Sequence, residues 1–189
     1  MEIELDAEAK DKRLNRMVAI TVVVLSVFMG LSQVKDGNIV QAMQQAQSAA
    51  VDHWGEYQAT KTKLHIDETA LAQATFISMI GGERVAAATA AEQARLKGEM
   101  AKYNKEIPQL RKQAQDDQAQ YDALNVHDDQ FDASDAAIGV AVAVAAVAAL
   151  SESFPALVVA WLFGAFGIVM GLAGFLGLGL KSPLASLLS

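Results

Sequence analysis

The stretch FISMIGGERV, residues 76–85, decides how the chain folds. It places Gly81 and Gly82 inside a polar, alanine- and glutamine-rich region that runs from about residue 37 to residue 135. Two adjacent glycines cost roughly 2 kcal/mol in a helix interior relative to alanine, and they supply positive φ freely. We therefore predict that they form the tip of a helical hairpin whose two sides pack against each other.

A seam of residues that face the opposite helix can be traced on both sides of the tip. Its members follow one another in alternating steps of three and four, as in a coiled coil. On the first side, polar residues interrupt the seam at Gln47, Lys61 and Glu68. The predicted seam is Val40, Met43, Gln47, Ala50, Trp54, Tyr57, Lys61, Leu64, Glu68 and Leu71 before the tip, and Leu96, Met100, Tyr103, Ile107, Leu110, Ala114, Asp117, Tyr121 and Leu124 after it.

The position of the tip predicts the register of the hairpin. If Ile80 faces Arg84, the residue numbers of each facing pair add up to 164. Gln47 then meets Asp117, where an amide can donate to a carboxylate and fix the register. A heptad seam does not say whether its partner helix belongs to the same chain, so packing against a neighbouring subunit is the alternative to a hairpin within one chain.

Apolar stretches long enough to cross a membrane flank this region. Residues 17–34 lack charge and span roughly 27 Å as a helix, and no small-x-small cleavage pattern follows, which favours a retained anchor over a signal peptide. A break is predicted at residues 35–38, before the extramembrane hairpin of residues 35–135. Residues 136–153 and 155–180 predict the second and third spans, and residues 1–16 and 181–189 are tails.

The third span carries four glycines on one face. At about 100° per residue they project within roughly 80° of one another and form a groove that lets helices approach closely. The alanine face of the second span is the expected occupant, and a contact between copies of the chain is the alternative. The groove consists of Gly164, Gly167, Gly171 and Gly174.

Four aspartates crowd the approach to the second span: Asp128, Asp129, Asp132 and Asp135. Carboxylates do not readily enter lipid, so these residues mark a water-exposed boundary. With His127 they have the composition of a metal or proton site. Sequential neighbours on a helix point in different directions, however, so one chain alone does not gather a ligand shell. We predict no metal and no cofactor.

Composition excludes several classes of function. Apolar residues make up 52% of the 189 residues, but they are concentrated in the three predicted spans. The net charge of -7 argues against nucleic acid as a partner, because neutralising phosphates needs clustered Lys and Arg. There is no cysteine. No glycine-rich phosphate loop, nucleophile elbow or paired His-Glu zinc motif occurs, so we do not expect an enzyme.

The predicted fold class is therefore all-α: a three-span helical membrane protein with a long antiparallel coiled-coil hairpin between spans 1 and 2. Basic residues set its orientation, because they accumulate on the cytoplasmic side of a membrane. Lys10, Lys12, Arg13 and Arg16 precede the first span, and Lys35 alone closely follows it. This predicts a cytoplasmic N-terminus and a periplasmic hairpin.

Two local stretches are distinctive: AVDHWGEYQATKTK at residues 50–63 and HDDQFDASDAA at residues 127–137. With the order of spans and hairpin, they resemble a bacterial membrane family of unknown function, domain-of-unknown-function family 4337. The resemblance implies a bacterial membrane protein and supplies no catalytic residues. With the predicted periplasmic hairpin, we expect the membrane to be the bacterial inner membrane.

The expected function is that of a membrane-anchored structural or interaction protein. Its expected partners are membrane lipid, further copies of the chain in a homo-oligomeric scaffold, and a larger membrane complex to which it is an accessory subunit. The alternative is an oligomeric channel or transport component with an acidic mouth at Asp128 to Asp135.

Overall fold

The computed structural model describes the backbone of residues 2–178 and the side chains of residues 12–178. Within this range the chain forms three helices and no strand: α1 (Glu2–Ile80), α2 (Gly82–Leu150) and α3 (Phe154–Leu176). The all-helical prediction is confirmed. The predicted C-terminal tail, the last two residues of the predicted third span and the side chains of residues 1–11 lie outside the described part.

The helix α1 continues through residues 35–38, where a break was expected. A single glycine in a helix interior costs about 1 kcal/mol relative to alanine, which packing on both sides of it outweighs. Gly37 is exposed, with open space where a side chain would be. Around it, Asp36 donates a hydrogen bond to Asp128 of α2, and Ile39 is only 7% exposed.

The helix α2 likewise continues past Pro108 and through the predicted boundary between residues 135 and 136. The Pro108 side chain is exposed, and a proline in a helix removes one backbone hydrogen bond. Half-buried Ile107 and Leu110 lie on either side of it. A proline inside a helix predicts a kink or a break, and the structure shows no break at Pro108; packing of these neighbours explains why the helix persists.

The helix α3 begins as the sequence suggests. Pro155 lies in its first turn, where a missing N–H costs nothing, and Ser153 precedes it with an extended backbone. The helix ends at Gly177, whose φ of 67° lies in the left-handed region that favours glycine. Each of the three helices contains a segment long and apolar enough to cross a membrane.

The chain divides into two compact units. The base unit comprises Met1–Met43 and Asp122–Ser189, and the arm unit comprises Gln44–Tyr121. Each unit is described by itself below.

In the arm unit α1 and α2 run antiparallel, since the contacts between them pair rising residue numbers with falling ones. Nδ1 of His53 lies 2.6 Å from Oδ2 of Asp117, and Nε2 of Gln93 donates to the carbonyl of Ala74 at 3.3 Å. The glycine tip joins the helices. Only Gly81 lies outside them, and Gly82 already begins α2 with a φ of 70°.

The inward row of α1 differs from the predicted seam at three positions. The predicted members Gln47, Lys61 and Glu68 are exposed, and Trp54 is half-buried beside His53, which is half-buried too. The preceding residues Ala46, Thr60 and Asp67 face inward instead, because burying a glutamine or a lysine costs more than burying alanine or threonine. The residues common to both rows, all buried or half-buried, are Met43, Ala50, Tyr57, Leu64 and Leu71; Val40 is half-buried as well.

On α2 the structure places the whole predicted row on the inward side. Leu96 and Ala114 are buried, at 2% and 0% exposure. The other seven, which are half-buried, are Met100, Tyr103, Ile107, Leu110, Asp117, Tyr121 and Leu124.

The register of the arm is shifted relative to the prediction. The contacting residues 74 and 93 add up to 167 and the contacting residues 53 and 117 to 170, whereas 164 was expected. Asp117 is therefore bound by His53 and not by Gln47, which is exposed. The imidazole of His53 reaches the Asp117 carboxylate from a half-buried position, so Gln47 stays in water and its burial is avoided.

In the base unit the glycine face of α3 packs against both other helices. The predicted occupant, the alanine face of the second span, contributes Ala141, whose Cβ lies 3.7 Å from a Cβ built at Gly164, and Ala145 and Ala148 pack in one cluster with Leu157 and Ala160 of α3. The glycines instead make room for large apolar side chains, which fill space more completely than alanine. These are Leu25 at Gly164, Ile138 at Gly167, Phe28 at Gly171 and Phe131 at Gly174.

The two tryptophans of the chain lie in different units. In the base unit, Nε1 of Trp161 donates to Oγ1 of Thr21 at 2.9 Å and so joins α3 to α1. In the arm unit, Trp54 packs edge-on against Tyr57 with 5.4 Å between ring centroids.

Candidate functional site in an acidic layer

The ionisable groups of the base unit gather where α1 meets the part of α2 that holds the predicted acidic mouth. Asp128, Asp132 and Asp135 are spaced by four and three residues, so they project from one side of α2. Asp36 of α1 joins them, because its carboxyl group donates a hydrogen bond to Asp128. We name Asp36, Asp128, Asp132 and Asp135 the acidic layer.

The pair formed by Asp36 and Asp128 binds a proton more tightly than an isolated carboxylate does. A hydrogen bond between two carboxyl groups requires that one of them is protonated. Burial, followed by the charges of Asp128 and Asp132, raises the pKa of Asp36 to about 6. Burial and the charge of Asp132 also raise the pKa of Asp128, while the hydrogen bond donated by Asp36 acts in the opposite direction. The proton therefore resides on Asp36.

Asp135 lies one helical turn further along the layer. Its carboxylate accepts a hydrogen bond from the amide of Gln33 on α1, which favours the charged form. Burial outweighs this bond and, with the charge of Asp132, raises the pKa of Asp135.

Buried polar side chains surround the acidic layer. Ser32, Ser134 and Gln130 are at most 1% exposed. Gln130 donates to the carbonyl of Leu178 at 2.5 Å. Within the described residues, Oγ of both serines and one carboxylate oxygen each of Asp36 and Asp135 are buried without a hydrogen-bond partner. Such groups cost about 1–3 kcal/mol each, so this polar layer weakens the base unit.

The structure brings together three of the four predicted mouth residues. Asp128 and Asp135 are half-buried, and Asp132 is exposed beside them. Asp129 is half-buried but turned about 100° away from Asp128 around the helix axis. The charge of Asp129 still reaches Asp128 and helps to raise its pKa.

The arrangement suits a proton better than a metal ion. Among the side chains of residues 12–178, no group of three or more His, Asp or Glu residues is placed to hold a metal ion. His127 is oriented towards Gln130, with 3.3 Å between Nδ1 and Oε1. The chemistry available to the layer is therefore the binding and release of protons and the accumulation of negative charge.

Sequence reasoning missed Asp36, Gln33, Ser32 and Ser134. Asp36 was assigned to the break predicted at residues 35–38, and Ser32 and Gln33 to the end of the first apolar span. The signal that identifies Asp36 was available, because residues 36 and 128 add up to the predicted 164. Extending the predicted pairing by one turn beyond Val40 sets the two carboxyl groups opposite each other.

Comparison with known proteins gives a family without an assigned activity. No curated protein and no solved structure matches the chain. The family model described as Domain of unknown function (DUF4337) matches residues 14–177, which include α1 from Leu14 onward, the whole of α2 and α3, and every residue of the acidic layer. The chain therefore belongs to this family.

Proposed function

We propose that the chain is a membrane-anchored structural or interaction protein, a homo-oligomeric scaffold or an accessory subunit of a larger membrane complex. Its three apolar segments act as membrane spans, and the antiparallel helices of the arm unit form a coiled-coil hairpin between spans 1 and 2. The spans lie in a bacterial inner membrane in this proposal, with the N-terminus in the cytoplasm and the hairpin in the periplasm.

One observation supports the membrane anchor: most of the surface of the apolar helix segments is not buried by the rest of the chain. Only 17% of that segment in α1 is buried, and 39% in each of α2 and α3. Val23, Val27 and Leu162 are 60% or more exposed. Apolar surface on this scale is unfavourable in water, and a lipid bilayer covers it at no cost.

The arm unit supports a role in assembly. Its inward rows pack against each other, so its remaining exposed surface is free to meet partners. Beside its inward row, α2 carries ion pairs along the helix, such as Arg95 with Glu92 and Glu99. Pairs of this kind keep a helix soluble while contributing little to stability.

The test is a native mass measurement of the full chain released from lipid particles. A scaffold gives masses of two or more copies or of a complex with another protein, and a reporter fused at Gly81 responds as periplasmic. A uniformly monomeric chain without partners contradicts the scaffold, and a cytoplasmic reporter contradicts the orientation.

The acidic layer favours a second candidate, an oligomeric channel or transport component with the acidic mouth at Asp128 to Asp135. Ionisable and hydroxyl groups buried next to apolar spans are typical of ion and proton pathways. Cation leakage from proteoliposomes that falls in Asp132→Asn and Asp135→Asn, but not in Asp116→Asn on the arm, supports this candidate. Equal leakage in all variants and in empty vesicles contradicts it.

A further inference from the structure

The side of α1 that points away from α2 in the arm unit is free of charge over thirty residues. At about 100° per residue, its members project within about 60° of one another and opposite to the inward row. All of them are exposed. We name this face the outer stripe; it consists of Val51, Gly55, Thr62, Thr69, Phe76 and Ile80.

The outer stripe is apolar at its ends and polar but uncharged in the middle. Val51, Phe76 and Ile80 are 66%, 63% and 70% exposed. The charged residues of this part of α1 lie to the sides of the stripe. The corresponding outward side of α2 differs, because it carries the exposed Lys105 and Lys112. An uncharged apolar face on one helix only is a mark of a contact surface.

We propose that the outer stripe binds the outer stripe of a second copy of this chain, with the two α1 helices antiparallel. The proposal rests on the proposed function in that it names the partner of a homo-oligomeric scaffold. The two-fold axis passes between residues 65 and 66, so the residue numbers of facing pairs add up to 131 (51 and 80, or 55 and 76).

Side-chain sizes match in this pairing. Gly55 meets the second copy's Phe76, and the reverse contact forms on the other side of the axis. A Cβ built at Gly55 has no atom within 4 Å, so nothing within one chain requires a glycine there. Glycine inside a helix lowers stability relative to alanine. A phenylalanine ring from the second copy supplies the reason for it, because the ring needs a recess in the helix surface.

Polar groups also match. Thr62 meets the second copy's Thr69, and Gln58 meets the second copy's Gln73, so hydroxyl faces hydroxyl and amide faces amide. These groups argue against a bilayer as the occupant. The hydroxyls of Thr62 and Thr69 already donate to the backbone carbonyls of Gln58 and His65 in their own helix. The amides of Gln58 and Gln73 would lack partners in lipid, whereas in the antiparallel pair they bond to each other.

Charges select the antiparallel arrangement. Lys61 and Glu68 lie on the same side of the outer stripe. In an antiparallel pair, this side of one helix lies next to the same side of the second copy's helix. Lys61 therefore approaches the second copy's Glu68, and the two-fold axis generates this ion pair twice. In a parallel pair, Lys61 and Glu68 face the uncharged Ile66 and Gln73 of the second copy. Within its own chain Glu68 contacts His65, 2.9 Å away, and both are exposed.

The pairing has a consequence for the membrane. The first predicted span precedes the outer stripe in the chain, so the two chains of an antiparallel pair enter it from opposite ends. Copies held in separate membranes can therefore form this contact.

Disulfide crosslinking tests the arrangement, because the chain contains no cysteine. Full-length Gly55→Cys and Phe76→Cys are reconstituted into separate vesicles, mixed and oxidised. We expect a crosslinked dimer from the mixture and none from either variant alone. Gly98→Cys, also exposed with open space around it but on α2, serves as control for random collision. Self-crosslinking of each single variant without the mixed product overturns the antiparallel pairing.

Vesicle clustering provides a second test. Wild-type vesicles should cluster, Gly55→Leu should abolish clustering by filling the recess for Phe76, and Gly98→Leu should leave it unchanged. Clustering that survives Gly55→Leu overturns the outer stripe. Native mass tests the homo-oligomeric scaffold separately. If the wild type is oligomeric but the mixed crosslink does not form, only the pairing through the outer stripe is wrong. If the wild type is monomeric, both the homo-oligomer and the outer-stripe contact are wrong.

Discussion

The carboxyl group of Asp36 on α1 donates a hydrogen bond to the carboxylate of Asp128 on α2. Burial and the neighbouring aspartates raise the pKa of Asp36 from 3.8 to about 6, so the folded base unit binds this proton more tightly than the unfolded chain does. The stabilisation that follows is complete below about pH 4 and is lost as the pH rises through about 6.

The first prediction concerns Asp36→Asn, which replaces the protonated carboxyl by a neutral amide. In detergent, the thermal unfolding midpoint of the wild type should decrease as the pH is raised from about 4 to about 7. In the variant, the corresponding change in the free energy of unfolding should be smaller by about 1 kcal/mol, a modest value because water screens a half-exposed group. Asp116→Asn, on an exposed part of the arm, should keep the wild-type profile. An unchanged profile in Asp36→Asn means that this pair does not hold the proton.

The second prediction distinguishes two adjacent residues of α1. Ala46 is 4% exposed, whereas Gln47 is exposed. Ala46→Glu buries a charge without a partner and should lower the free energy of unfolding by about 2–4 kcal/mol. Gln47→Glu should change it by less than about 0.5 kcal/mol. Denaturation followed by circular dichroism checks both, and the reverse order of effects would restore the seam that includes Gln47.

The third prediction concerns the glycine face of α3. A methyl group at Gly167 would lie 2.6 Å from Cγ1 of Ile138 and 3.0 Å from the backbone oxygen of Ser134. Gly167→Ala should therefore lower the free energy of unfolding by about 1–3 kcal/mol. Gly139→Ala on α2, where nothing lies within 4 Å, is the matched control and should be neutral or slightly stabilising. Equal thermal midpoints for the two variants contradict this packing.

The fourth prediction concerns the bond between His53 and Asp117, which joins the two helices of the arm. His53→Ala should lower the free energy of unfolding by about 0.5–1.5 kcal/mol. His65→Ala is the control, because its partner Glu68 lies on the same helix and both are exposed. Hydrogen exchange around Tyr57 and Leu110 should accelerate in the first variant only. Similar exchange in both means that the bond does not hold the helices together.

The helices, the glycine tip and the inward row of α2 follow from sequence patterns alone. The inward row of α1 does not, because two rows share Met43, Ala50 and Tyr57 and differ only in their alternate members. The predicted row contains the aromatic Trp54, but it also contains Gln47 and Lys61. The observed row has Ala46 and Thr60 in place of these two residues. Hydrophobic periodicity defines a face to within one residue, and the cost of burying a lysine is needed to choose between neighbours.

The acidic layer was predicted only on its α2 side. Spacing within one helix shows that Asp128, Asp132 and Asp135 share a side, but the residue that meets them depends on the register between helices. The predicted pairing, in which residue numbers add up to 164, does set Asp36 opposite Asp128. It was not extended beyond Val40, because residues 35–38 were expected to break the helix.

The separation of Trp161 and Trp54 equips the chain with two independent optical probes. Each indole lies in one unit, the first hydrogen-bonded to Thr21 and the second packed on Tyr57. Because the chain has no further tryptophan, Trp54→Phe leaves an emission spectrum that comes from the base unit alone, and Trp161→Phe leaves that of the arm. Stepwise or simultaneous loss of the two signals on heating then reveals whether base and arm melt as one cooperative body.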